Sequence, residues 1–440
     1  MKQLHYITGQ AGTGKTHALM ESLVKWFQDN SLENHQSVLA ITRMHGSRKR
    51  LLERLKSKSI DAKLTVCTVD SFGLQLVNRW RLSLGYSKPI VPVALNEQEE
   101  PYQDEIGHRL SFEEIMRQAA KLASSPTVAK SIANSHPVIL IDEFQDCTDC
   151  QLSLISNLKG YVDIILAADP FQSLDGDESA CNWIDGFEGD ESTQVTRLSH
   201  CRRTTCSYIL EAASALHENH VASYSRAPLP FYIAPTYNMA VWKLQNNYGP
   251  AALIYTANRV FTTLENTASE QNAKKQAEGK RGIKFFWRPQ VSISELSKET
   301  QDSFAAAINQ GTWAENKMWR KLYQQALGLA KARGHVNSQE PYMQFVVNSF
   351  IQSRRFVESR PMKFEATTVH GAKNREFDYV YVVWDTNLCS NYSDEQKRRL
   401  LYNAITRAKK SCVVVVIGNK KMIKSCPVLS LLGKPLDVFS

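Results

Sequence analysis

The run Gly9-Gln-Ala-Gly-Thr-Gly14-Lys15-Thr16 limits what this chain can fold into more than any other segment. It matches G-x-x-x-x-G-K-[ST]. It lies between an apolar segment at residues 3–8 and a helical pattern from Lys15 to about Gln28. Strand, glycine turn and helix in that order make a phosphate cradle. Backbone N–H groups wrap the phosphates, and the helix N-terminus adds partial positive charge. Gly9, Gly12, Thr13 and Gly14 shape the cradle, Lys15 reaches the outer phosphates, and Thr16 ligates Mg²⁺. The chain is therefore expected to bind a nucleoside triphosphate.

Such a loop belongs to a parallel α/β sheet. Apolar segments at 37–42, 64–68, 137–141 and 163–167 alternate with helical patterns, as a parallel sheet requires. A second α/β region begins near 197 and carries strand patterns at 251–255, 379–384 and 412–417. The predicted division is residues 1–86 and 135–196 in a first domain, with a short insertion at 87–134. Residues 197–262 and 346–440 form a second domain, with a reduced helical insertion at 263–345. Residues 265–282, polar and rich in Lys, Glu, Asn and Gln, read as a loop or linker, and 292–333 as two helices.

Val138-Ile-Leu-Ile-Asp142-Glu143-Phe-Gln-Asp146 is an apolar strand ending in paired acids. It delivers Asp142 to a metal at the carboxyl edge of the sheet, where open α/β sheets bind ligands. Glu143 is placed to polarise an attacking water. Ala168-Asp169-Pro-Phe-Gln172 follows another strand and offers a glutamine to sense the γ-phosphate. Leu198-Ser-His-Cys-Arg202-Arg203-Thr and Tyr402-Asn-Ala-Ile-Thr406-Arg407-Ala408 set arginines near the starts of elements in the second half. Thr368-Val-His370-Gly-Ala-Lys373-Asn-Arg-Glu376 precedes a strand.

In this order, from about residue 4 to 418, these segments resemble superfamily 1A helicases of the UvrD/Rep/PcrA type. The resemblance implies two RecA-like P-loop NTPase domains with parallel sheets and small helical insertions. ATP and Mg²⁺ would lie between the domains, single-stranded DNA would cross their tops, and movement would run 3′→5′. Gln172 then corresponds to the γ-phosphate sensor, Arg203 and Arg407 to two arginine fingers, and Glu376 to a contact on the ATP ribose. Thr42, Arg43, His45, Thr68, Asp70, Ser71, Asn258, Thr368 and His370 correspond to DNA-side positions. A capping or turn role is the alternative for each Ser, Thr and Asp among them. The basic segment 43–58 is read as phosphate-binding, with a solvated face as the alternative.

Departures from the family pattern bear on mechanism. Only eight residues precede Gly9, so the family's upstream adenine-reading Gln is not expected. His17 stands where a basic residue often touches adenine, and Arg202 replaces a base-stacking Tyr. The third motif lacks its two aromatics, with Trp183 nearby as a substitute or as core. Arg375 follows Lys373-Asn374, either serving a phosphate or neutral. The small insertions leave little chain for independent unwinding. A second reading is therefore a DNA-stimulated ATPase or nucleotide-sensing helicase-like subunit that regulates a partner nuclease, for example in Gabija-type antiphage defence.

Composition fits either reading. Lys and Arg number 53 against 44 Asp and Glu, and the charge of +9 suits a polyanionic partner. No apolar run is long enough for a membrane span, and the first residues lack a signal-peptide core, so a cytoplasmic protein is expected. Nine scattered cysteines with one C-x-x-C, Cys147 and Cys150, read as reduced thiols.

Overall fold

The computed structural model describes residues 2–42, 64–92, 101–103, 107–174, 179–188, 193–245, 251–280, 285, 287–289, 306–307, 310–315, 323, 364–373, 375–387, 392–418 and 426–436. Two compact units divide the chain. One contains residues 1–79, 116–289 and 360–440, the other residues 80–115 and 290–359.

The first unit holds two six-stranded, wholly parallel sheets. The first sheet contains β1 (Leu4–Gly9), β2 (Val38–Thr42) and β3 (Leu64–Cys67). The second unit supplies a small sheet of β4 (Ile90–Pro92), β5 (Tyr102–Gln103) and β6 (His108–Leu110), ordered β4-β6-β5. The first sheet is completed by β7 (Val138–Asp142), β8 (Asp163–Ala168) and β9 (Thr193–Leu198), in the order β3-β2-β7-β8-β1-β9. Every residue of β7 is buried, because helices cover both faces of a parallel sheet. Helix α1 (Lys15–Asp29) packs Leu19, Met20 and Leu23 on Ile7, Val38, Ala40, Leu140 and Ile165. Fully burying each of the Leu, Ile, Val and Met side chains among these contributes about 1.5–3 kcal/mol.

Helices α2 (Val69–Arg79), α3 (Phe112–Ala123) and α4 (Pro126–Ser135) follow in chain order. From Met116 onward α3 belongs to the first unit, as does all of α4. The 87–134 stretch expected as one insertion is thus split. Its second half carries core side chains, Met116, Ala119, Ala129 and Ile132 among them. Next come α5 (Asp149–Ser156), α6 (Ser179–Glu188) and α7 (Ser207–Glu218).

The second sheet is β10 (Phe231–Ala234), β11 (Ala251–Tyr255), β12 (Arg288–Pro289), β13 (Phe364–Thr368), β14 (Phe377–Asp385) and β15 (Ala408–Ile417). Their order is β10-β15-β14-β11-β13-β12. Alternate residues serve opposite cores. Val380, Val382, Trp384, Val414 and Val416 face one, and Val383, Val415 and Ile417 face the other. Helices α8 (Tyr237–Gln245), α9 (Asn258–Ala277), α10 (Val369–Ala372), α11 (Asp394–Ile405) and α12 (Pro427–Ser430) follow in chain order.

Two expectations are corrected here. Residues 258–277 form a 20-residue helix, although 265–282 reads as a linker. Only Val260, Phe261, Leu264 and Ala268 are buried along α9, so a narrow apolar stripe anchors it and the polar remainder faces solvent. Residues 197 and 198, expected in the second half, are the end of β9 and pair with β1 in the first sheet. Most of 292–333, expected as two helices, lies outside the described residues.

Candidate nucleotide site

The loop closes the carboxyl end of β1. Gly12 and Gly14 hold φ of 79° and 92°, left-handed values that favour glycine. Gly14 precedes α1 and has no side chain to cap it, so the first-turn N–H groups stay open to an anion. Lys15 folds back into the loop. Its Nζ donates to the Gly9 and Gln10 carbonyls, at 2.8 and 3.1 Å, and lies 3.4 Å from Asp169 Oδ2.

Asp142 ends β7, and its Oδ2 accepts the Thr16 hydroxyl at 3.0 Å. Burial, joined by the charge of Glu143, pushes the Asp142 carboxyl up to about 6. A hydroxyl and a buried carboxylate under such pressure are hard oxygen donors that fit Mg²⁺. Glu143 has φ 61°, and its carboxylate accepts from Gln145 Nε2 at 2.6 Å. Burial raises its carboxyl, but Lys15, Lys373 and Arg407 outweigh that and hold it below the usual carboxylate range. Gln145 also accepts the Asp169 N–H at 3.0 Å. Asp169 Oδ2 in turn accepts Gln172 Nε2 at 2.8 Å. The ends of β7 and β8 are thereby one hydrogen-bonded unit.

The second sheet's elements reach this edge. Arg202 N donates to the Gly12 carbonyl at 2.7 Å. A Cβ on Gly12 would meet Arg203 Cβ at 2.7 Å and Cys201 Sγ at 2.9 Å, so the glycine permits a close approach. Arg203 donates to Glu376 Oε1 at 2.9 Å and to the Thr406 carbonyl at 2.8 Å. Lys409 holds the other Glu376 oxygen at 3.1 Å. Burial raises the Glu376 carboxyl, and Arg203 and Lys409 pull it below its ordinary value. Arg407 is 2% exposed, and its Nε donates to the Asn403 carbonyl at 3.0 Å. Burial, then the charge of Arg203, lowers it to about 10, so it remains cationic at neutral pH. Lys373 Nζ lies 2.5 Å from buried Asp146 Oδ1. The Tyr402 hydroxyl accepts the Ala11 N–H at 2.7 Å.

The structure thus gathers Lys15, Thr16, Asp142, Glu143, Gln172, Arg203, Glu376 and Arg407. It adds Gln145, Asp146, Asp169, Lys373, Tyr402 and Lys409, to which sequence reasoning gave no role. Asp146 and Lys373 stand inside motifs already quoted, so their spacing was a usable signal. Arg375, between a phosphate role and neutrality in the sequence, instead makes a double contact with Glu365. His17 is exposed and lies 3.6 Å from Glu21, and the Arg202 side chain runs along Gly14.

The DNA-side positions fall at strand ends. Thr42 stands opposite Asp142 in register, while Arg43, His45 and the basic segment 43–58 lie outside the described residues. Thr68 caps α2 through Ser71 N at 3.1 Å, and Asp70 accepts Gln151 Nε2 at 2.7 Å. Thr368 caps α10 through Gly371 N at 3.0 Å. Thr68-Val-Asp-Ser and Thr368-Val-His-Gly therefore make the same capped turn after a strand, one per sheet. His370 and Asn258 are exposed, Asn258 as the first residue of α9.

Residues 1–176 match the family model of the AAA domain, and residues 363–415 match that of the UvrD-like helicase C-terminal domain. Together the two matches support a UvrD-like superfamily 1 helicase. The matched domains support ATP-dependent, helicase-type function and imply ATP hydrolysis with DNA as substrate. A search of curated proteins finds no match. The AAA match spans the phosphate loop, Asp142, Glu143 and Gln172, and the C-terminal match spans Thr368 to Arg407. Arg202 and Arg203 lie between the two matched segments. Among the described residues, no helix is long and apolar enough to cross a membrane.

Proposed function

We propose that this UvrD-like protein is a single-stranded DNA translocase with 3′→5′ helicase activity, driven by ATP hydrolysis at the site above. One observation carries the reading: from the second sheet's side, Arg203 closes against Gly12 of the loop, and Arg407 and Lys373 act on the acids Glu143 and Asp146 of the first. Lys15 and the uncapped N-terminus of α1 bind the phosphates. Thr16 and Asp142 would hold Mg²⁺, which would supply charge neutralisation to the bound phosphates. Glu143, kept ionised by its cationic neighbours, orients water and takes its proton. Gln172 senses the γ-phosphate, and Arg203 and Arg407 meet the charge that develops in the transition state. Glu376 holds Arg203 in place and faces the sugar. DNA lies along the turns at Thr42, Thr68–Ser71, Asn258 and Thr368–His370.

The reading is tested by steady-state ATPase with and without single-stranded DNA, beside Lys15→Ala and Glu143→Gln. Displacement of duplexes bearing 3′ or 5′ tails adds the polarity. No stimulation by DNA would sink the motor reading, and preference for a 5′ tail would sink the direction.

A second reading, a subunit that senses nucleotide and regulates a nuclease, has one observation in its favour. Trp183, the first aromatic downstream of the third motif, stacks on buried Phe144 with ring centroids 5.4 Å apart. Phe171 packs against Tyr402 and His217. Both rings are partly buried against protein neighbours, which weakens the grip on bases that stepping requires. Robust unwinding by the isolated chain would exclude this reading.

A further inference from the structure

Tyr402 stands on α11, one turn before Arg407, and is fully buried. Its hydroxyl accepts the N–H of Ala11, within the phosphate loop, at 2.7 Å. Its carbonyl accepts both the Thr406 N–H at 3.0 Å and the Thr406 hydroxyl at 2.8 Å. The Thr406 carbonyl in turn accepts Arg203 Nη1 at 2.8 Å, and Arg203 holds Glu376. The Tyr402 ring meets Phe171 edge-on at 5.0 Å, next to Gln172. A run of hydrogen bonds therefore joins loop, tyrosine, threonine and arginine, with no solvent-exposed member between Ala11 and Thr406.

We infer that the Tyr402 hydroxyl is a positioning residue that locks the phosphate loop to the arginine-bearing turn, so that the arginines keep register with the γ-phosphate. The inference rests on the nucleotide-site reading. It assigns Tyr402 no contact with ATP. Phosphate binding itself depends on Lys15, the loop N–H groups and the N-terminus of α1, and the tyrosine hydroxyl bonds the loop at the Ala11 N–H. Losing the hydroxyl should slow the chemical step and leave ground-state binding nearly intact.

Tyr402→Phe keeps the ring and removes one oxygen. In the full chain kcat is expected to fall about tenfold while KM for ATP stays within about twofold. The coupling is read from a double-mutant cycle with Arg203→Ala. In that background Tyr402→Phe should cost less than about twofold, because the group it aligns is gone. A merely structural loss would multiply equally through both backgrounds. An unchanged kcat in Tyr402→Phe, or the same fold-loss with and without Arg203, overturns the inference. Should Tyr402→Phe fail to fold, Thr406→Ala loosens the next link by removing the hydroxyl bond to the Tyr402 carbonyl while the backbone bonds remain, and it is read by the same two criteria with a smaller expected loss. A wild type without ATPase activity would sink the nucleotide-site reading itself, a result distinct from an active wild type beside an unaffected variant.

Discussion

Glu143 holds a left-handed backbone at the end of a strand, a conformation that costs a residue with a side chain about 1–2 kcal/mol. The local bonds that keep it there, through Gln145 to Asp169, also set the carboxylate among three cations. Glu143→Gln keeps shape and removes the proton acceptor. Its kcat should fall by about a thousandfold with ATP affinity retained, measured by single-turnover hydrolysis and nucleotide titration. Arg375 matters for a different reason. Glu365 is 2% exposed, and Arg375 is the cation that meets it. Arg375→Ala strands a buried carboxylate and should cost about 3–5 kcal/mol, read from denaturant midpoints. Adding Glu365→Gln should restore part of that loss. If Arg375→Ala leaves the midpoint unmoved, the pair is not what holds β13.

At the scale of elements, the site depends on how closely β1 approaches its neighbour. A Cβ on Gly9 would sit 2.6 Å from the Leu198 carbonyl, so Gly9→Ala must part β1 from β9. About 1–3 kcal/mol of stability should be lost, and ATP affinity should drop more than ten-fold, since the loop starts from that strand. Calorimetry of ATP binding beside thermal melting checks both. The same elements show what the sequence made legible. The loop, Asp142-Glu143 and the parallel sheet were readable because backbone geometry and burial leave those residues little choice. Helix α9 was not, because four buried side chains suffice to dock a helix whose remaining surface looks like linker. The partners of Arg375 and Tyr402 were hidden for another reason. Glu365 is ten residues away in sequence and Ala11 is 391, and no local pattern records which pairs a fold brings together.

For the molecule as a whole, the excess of nine positive charges predicts an electrostatic share in strand binding. Raising salt from 50 to 200 mM should weaken single-stranded DNA binding by about tenfold or more, with a log–log slope of about −0.7 per phosphate contacted. Fluorescence anisotropy across that range checks it, and a flat response would place the charge elsewhere. The two sheets also differ in when they can exist. The last strand of the first sheet ends at Leu198, and all its partners precede it. The second sheet pairs β11, at 251–255, with β13, at 364–368, and closes only with β15, ending at Ile417. During synthesis the loop-bearing sheet can fold as soon as its strands leave the ribosome. The second sheet must wait until Ile417 has been made, and refolding should be biphasic, its slow phase belonging to the sheet whose neighbours are farthest apart.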